Sequence, residues 1–276
     1  MNREPAAENQ HVAYMQRHVV PIYLHFVRGT EQHAALITSF VLEVRGQWFL
    51  VTAAHCINDV QTMMNKGWTL RRSRLIDTMG LGAKYSQPIP FDYLGAAPTA
   101  MFQDEKNDYG LLYVDDHDRR LLQANGIEPI TEVAWDCNLV EPDGFFLIGI
   151  PGQLTTAAPD LACVTTVLLG VKALAVRPPC FDVTDAMRWY GEVLMPRGLR
   201  SLEGMSGGPI FAIKRVEGGA LKYWLHGIQS AQSPRFPSEP YVAANLARPL
   251  ARFLAVFMAG KHQDLVDRDS AQSTDG

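Results

Sequence analysis

Apolar positions along this chain fall into short runs. Nine of them read as strands: Val19–Val27, Ala35–Val44, Gln47–Thr52, Asp108–Val114, Gly144–Ile150, Cys163–Leu169, Gly191–Met195, Pro209–Lys214 and Tyr223–Gln229. Polar stretches or Gly- and Pro-containing segments connect them. Short β-compatible runs at this spacing predict an all-β architecture, a sandwich or a pair of barrels. Leu246–Gly260 has a different period, with Leu250, Phe253, Leu254 and Phe257 at helical spacing. It predicts an amphipathic helix docked on the core, the commoner use of an Ala-rich helix than membrane binding. Residues 261–276 are polar and predict a disordered tail. No internal repeat is visible.

Composition adds few constraints. The 276 residues, 47% hydrophobic and 20% charged, suit one domain of two packed lobes or two small domains. A net charge of −4 gives no reason to expect a nucleic-acid partner. The first twenty residues include Arg3, Glu4, Glu8 and Arg17 and no continuous apolar core, so no secretory signal is expected. No window is apolar for the length of a membrane span. A cytoplasmic protein without a membrane partner is the resulting expectation. The four cysteines, at 56, 137, 163 and 180, form no C-x-x-C pair, and no metal site or cofactor is expected.

Candidate chemistry centres on Leu202-Glu203-Gly204-Met205-Ser206-Gly207-Gly208-Pro209-Ile210-Phe211. A serine set among glycines suits a tight turn that presents a hydroxyl together with backbone amide hydrogens. Serine is a weak nucleophile at neutral pH unless a base takes its proton, and imidazole is the natural base. His55 closes the apolar run Trp48-Phe49-Leu50-Val51-Thr52-Ala53-Ala54, which separates it from the other seven histidines. An imidazole needs a carboxylate to fix its tautomer and stabilise its cation. Asp108 opens the apolar run Tyr109-Gly110-Leu111-Leu112-Tyr113-Val114. Asp104 and Glu105 lie in a polar loop, and Asp115, Asp116 and Asp118 lie in a D-D-H-D-R-R segment that reads as a solvated turn. The serine also satisfies G-x-S-x-G of the α/β-hydrolases, but that fold needs a helix directly after the serine and a histidine last in order.

With His55 in T-A-A-H-C, Asp108 at a strand start and Ser206 in G-M-S-G-G-P, in that order, the chain resembles the chymotrypsin family of trypsin-like serine proteases, in its bacterial, non-zymogen form. The resemblance implies one peptidase domain over residues 1–276. It would consist of two six-stranded antiparallel β-barrels, 19–130 and 131–245, and a C-terminal helix over 246–260, with the active site in the cleft between barrels. It implies a serine endopeptidase that cleaves protein or peptide substrates through an acyl-enzyme, with catalytic His55, Asp108 and Ser206 and an oxyanion hole from the amides of Gly204 and Ser206.

Further matches follow from the same resemblance. Secreted members bridge the cysteine after the histidine to one about fifteen residues earlier; here Phe40, Val41 and Leu42 stand in that neighbourhood, so Cys56 is expected to be a free buried thiol. Met205 stands where secreted members carry the aspartate that pairs with a new N-terminus, so that route of activation is closed. Arg200 and Ser201 match the specificity-pocket floor, which argues against a basic-residue preference and suggests an acidic or small polar one. Ser230, Ala231 and Gln232 match the strand that pairs with substrate, with Ser230 behind Asp108. The alternative is a latent protease-fold effector or sensor in a bacterial stress or defence system, switched on by an activating partner protein.

Overall fold

The computed structural model describes residues 14–77, 88–96, 107–135, 141–158, 161–183, 188–217, 220–252, 254–256 and 258. In the N-terminal half, β1 (Ile22–Arg28), β2 (Glu31–Ile37), β5 (Thr69–Leu75) and β6 (Ile89–Pro90) form one antiparallel sheet in the order β2-β1-β5-β6. The strands β3 (Phe40–Val44), β4 (Gln47–Ala53) and β7 (Tyr109–Val114) form a second, in the order β3-β4-β7. Both enclose a core that includes Leu24, Phe26, Trp48, Leu50, Leu112 and Val114. Side chains alternate across a strand, so Phe49, Val51 and Leu111 face the other way, into a second core. Burial on both faces is why β4 and β7 read as continuous apolar runs.

In the C-terminal half, β9 (Thr156–Ala158) and β10 (Leu161–Cys163) form a small hairpin. The strands β8 (Gly144–Gly149), β11 (Val167–Ala173), β12 (Arg188–Val193), β13 (Pro209–Arg215), β14 (Leu221–Gln232) and β15 (Tyr241–Leu246) close into a barrel in the order β11-β12-β15-β14-β13-β8. Leu147, Leu169, Val171, Val193, Ile210 and Val242 pack together inside it. Ile148, Phe211, Leu225 and Ile228 point outward and share the second core with Phe49, Val51 and Leu111. A helix over 247–252, continued at 254–256 and 258, lays Ala247, Leu250, Ala251 and Leu254 on that shared core. Among the described residues the chain also forms helices α1 (Ala54–Asn65), α2 (Tyr93–Ala96), α3 (Asp116–Ala124) and α4 (Glu132–Trp135), and the C-terminal one is α5.

Several expectations change in detail. The run Ala35–Val44 is two strands, because the chain leaves one sheet for the other at Thr38-Ser39. Cys163–Leu169 likewise spans the end of β10 and the start of β11. The D-D-H-D-R-R segment is not a turn but the start of α3. Asp115 caps it, its Oδ1 accepting from the Asp118 N–H at 2.8 Å. The N-terminal half is two sheets, joined through a bridge between Val19 and Phe40, and not one closed six-stranded ladder among the described residues. The expected tail, 261–276, lies outside the described residues, as do Asp104 and Glu105.

The two halves are also joined by a buried histidine. His18 Nδ1 donates to the Glu128 carbonyl at 2.7 Å, and its Nε2 accepts from the Tyr223 hydroxyl of β14 at 2.8 Å. Both ring nitrogens of the neutral imidazole are thereby satisfied. Burial, with the nearby Arg17 charge adding to it and the Glu128 carbonyl opposing, lowers its pKa from 6.5 to about 4. The folded state therefore resists a proton that the unfolded chain accepts. This stability is present in full above pH 6.5 and is lost as pH falls toward about 4, at a cost of about 3 kcal/mol. His226, half-buried beside Phe145 and Trp189, acts in the same direction. Urea unfolding at pH 7 and pH 4.5 should show this loss, and His18→Gln should flatten the dependence. An unchanged slope in that variant would assign the acid lability elsewhere.

Candidate active site

The chain leaves β4 at Ala53 and enters α1 at Ala54, which puts His55 and Cys56 in the first helical turn. Directly before β7, the Asp108 carbonyl accepts from the Ala54 N–H at 3.1 Å, continuing the pairing of Ala53 with Tyr109. Its carboxylate turns back onto the histidine. Oδ1 accepts from the His55 backbone N–H at 2.9 Å, and Oδ1 and Oδ2 lie 3.1 and 2.9 Å from Nδ1. Asp108 holds a left-handed φ of 48°, sparsely populated by non-glycine residues, and these hydrogen bonds hold it there. The Asp108 side chain is 13% exposed, against 43% for His55. Asp108 first, then the Cys56 thiol, raise the His55 pKa well above the ordinary histidine value, against the opposing effect of partial burial.

Ser206 sits in the turn before β13. The turn is closed by hydrogen bonds from Met205 N to Leu202 O at 2.9 Å and from Gly208 N to Met205 O at 2.9 Å. It is tied to β14 by Gly207 N to Gln229 O at 2.8 Å and Gln229 N to Gly208 O at 2.9 Å. Met205 is fully buried inside the barrel against Gly149, so apolar packing anchors the residue next to the serine. The Glu203 carbonyl accepts from Gly152 N at 2.7 Å. The C=O and N–H of a trans peptide point in opposite directions, so the Gly204 N–H faces away from Gly152. Gly204 has φ +87°, and a Cβ there would lie 2.7 Å from the Ile150 carbonyl oxygen.

His55, Cys56, Gly204 and Ser206 line one cavity of about 380 Å³, together with Leu202, Glu203, Gln229 and Gln232. The Cys56 thiol donates to the Ser206 carbonyl at 3.8 Å. Among the described residues no hydrogen bond yet joins His55 Nε2 to Ser206 Oγ. Cys56 and Cys180 are free thiols. Among the described residues no group of three or more His, Cys, Asp or Glu is placed to hold a metal ion, and no helix is long and apolar enough to cross a membrane.

The proposed specificity residues separate. Gln232 lines the cavity, its Oε1 accepting from Leu202 N at 2.8 Å. Arg200 is exposed and Ser201 half-buried, both outside the cavity lining; their amides are held by Gln153 Oε1. Ser230 is buried, and its hydroxyl donates to the Ala243 carbonyl at 3.3 Å, at a bulge in β14 between Gln229 and Ala231. Ala231 pairs with Ala243 in the same strand.

Thr38 escaped the sequence reading. Its hydroxyl donates to the Gly204 carbonyl at 2.6 Å and accepts from Ile150 N at 3.3 Å, and its carbonyl accepts from Thr52 Oγ1 at 2.8 Å. It thus ties the histidine's half to the serine's loop. A threonine inside the run Ala35–Val44 carries no sequence mark of such a role.

No family model and no curated protein sequence matches the chain. Among solved structures it is similar to a thermostable serine protease, AL20, from an extremophilic microorganism, at 13% identity over 87% of this chain and 98% of that one, with a TM-score of 0.45. It is also similar to GrC, at 16% identity over 90% of this chain and 96% of that one, with a TM-score of 0.50. The fold is the chymotrypsin-like double barrel with a C-terminal helix.

Proposed function

We propose that this protein is a serine endopeptidase that cleaves protein or peptide substrates through an acyl-enzyme formed on Ser206. The observation that carries the reading is the convergence on one cavity of Ser206, Gly204 and an imidazole already held by the half-buried Asp108 carboxylate. The strand Pro209–Arg215 that follows the serine, where an α/β-hydrolase needs a helix, supports it against that alternative.

Ser206 Oγ attacks the scissile carbonyl carbon while His55 Nε2 takes the hydroxyl proton. Negative charge develops on the carbonyl oxygen, and the amide hydrogens of Gly204 and Ser206 receive it. The intermediate collapses, the C–N bond breaks, and His55 returns the proton to the leaving amine. Water, deprotonated by His55, then hydrolyses the Ser206 ester and frees the serine. Asp108 keeps the proton of the neutral ring on Nδ1, which leaves Nε2 as the base. The segment 230–232 of β14 extends past the pairing with β13 and past the bonds of Gln229 to the serine turn, and offers an edge on which a substrate strand can add. The packing of Met205 and the bond from Gly152 to Glu203 favour a site formed without an activating partner.

A p-nitrophenyl ester tests the reading. Rapid mixing should release a burst of nitrophenol equal to about one per chain, absent from Ser206→Ala, before a slower steady state. His55 works as a base only when unprotonated, and Asp108 raises its pKa, so the burst rate should rise with pH through one ionisation above 6.5. Folded protein with no Ser206-dependent burst would contradict the proposal.

A further inference from the structure

The cavity carries a buried polar group that the chemistry above does not use. Gln229 is 1% exposed, lines the cavity with Ser206, and its Oε1 has no hydrogen-bond partner. It pairs across β14–β15 with Ala244, part of the barrel-interior core, so its side chain lies on the inner face at the cavity end of the strand. Its backbone is fixed on both sides by the turn that carries Ser206. The other glutamine of the lining, Gln232, has already spent its Oε1 on Leu202 N, bracing the wall. A buried, unpaired amide oxygen is costly until a partner supplies a donor.

We propose that Gln229 is the specificity-determining residue of this cavity and reads a primary carboxamide, the side chain of asparagine or glutamine on the substrate. The proposal rests on the Ser206 reading for its place in catalysis. A carboxamide can give an N–H to Oε1 and accept from Nε2 in return, satisfying both ends of the buried amide. A carboxylate has no hydrogen for Oε1, and an aliphatic chain leaves it orphaned. A cation would be buried without a buried counter-charge, because the acidic residues of the lining, Asp59 and Glu203, are both exposed. Arg200, the cation that would have favoured an acidic side chain, stands outside the lining.

Binding of three peptides to the full chain carrying Ser206→Ala tests this without turnover. The set acetyl-Ala-Ala-Ala-X-Ala-Ala-amide, with X glutamine, glutamate or norleucine, is titrated by calorimetry. The glutamine peptide should bind at least about tenfold more tightly than either other. Adding Gln229→Met, close in size and apolar, should abolish that margin or turn it toward norleucine, with the unfolding midpoint confirming a folded protein. Equal affinities, a preference for glutamate or norleucine, or a margin that survives Gln229→Met would overturn the assignment. The ester burst separates the two readings: a burst without the carboxamide margin overturns this inference alone, and the margin without a burst overturns the protease reading and leaves the binding subsite standing.

Discussion

Asp108→Asn should slow Ser206 acylation by about four orders of magnitude while leaving the protein folded. The carboxylate accepts from two hydrogens of the same residue, the backbone N–H of His55 and its ring Nδ1. An asparagine carbonyl oxygen can keep the backbone bond, which preserves the local fold. Its NH₂ group then faces Nδ1 and can be satisfied only if that nitrogen is unprotonated. The ring proton moves to Nε2, and the base is lost where Ser206 needs it. The residual rate should also follow a lower ionisation than that of the native protein, because the largest influence raising the His55 pKa is gone. Stopped-flow acylation across pH gives both numbers. A variant that keeps more than about a tenth of the native rate would show that Asp108 does not orient the base.

The largest loss of stability is expected from Gly207→Ala. Gly207 has φ +89°, and an added Cβ would lie 2.2 Å from Thr52 Oγ1, 2.4 Å from the Thr38 carbonyl oxygen and 2.9 Å from Thr52 Cα. These atoms belong to the other half of the molecule, and two of the three are backbone, so no rotamer change relieves the clash. Either the halves part or the Ser206 turn unwinds, at an expected cost above about 4 kcal/mol. Gly198→Ala isolates the conformational part, since Gly198 has φ +92° with nothing within 4 Å. It should cost only about 1 kcal/mol. Urea denaturation of the pair separates the two contributions. Equal losses would mean that Gly207 does not sit at the contact between the halves.

Ser206 stood out in the sequence because glycines surround it, and His55 and Asp108 because each lies at the end of an apolar run buried on both faces. The barrel strands of the C-terminal half were legible for the same reason, apart from Tyr241–Leu246, whose run of small residues and an asparagine carries little strand signal. Thr69–Leu75 was hidden by three arginines, since only one of its faces is turned inward. The helix Ala54–Asn65 was masked by the apolar run feeding it, which shares residues with both elements. Specificity was least legible. Arg200 falls on the expected pocket position by its distance from the serine, yet Gln153 holds that loop by its backbone and the side chain stays outside. The bulge at Ser230 could not be read from spacing, because one extra residue in a strand reverses which face every later side chain takes.

The most direct test of the central claim is labelling of the purified protein with a fluorophosphonate, followed by mass mapping of the adduct in native protein, His55→Ala and Ser206→Ala. The expected result is a single adduct on Ser206, lost in Ser206→Ala and slowed by at least about a thousandfold in His55→Ala. Well-folded native protein that takes no label, or takes it on a different serine, would contradict it.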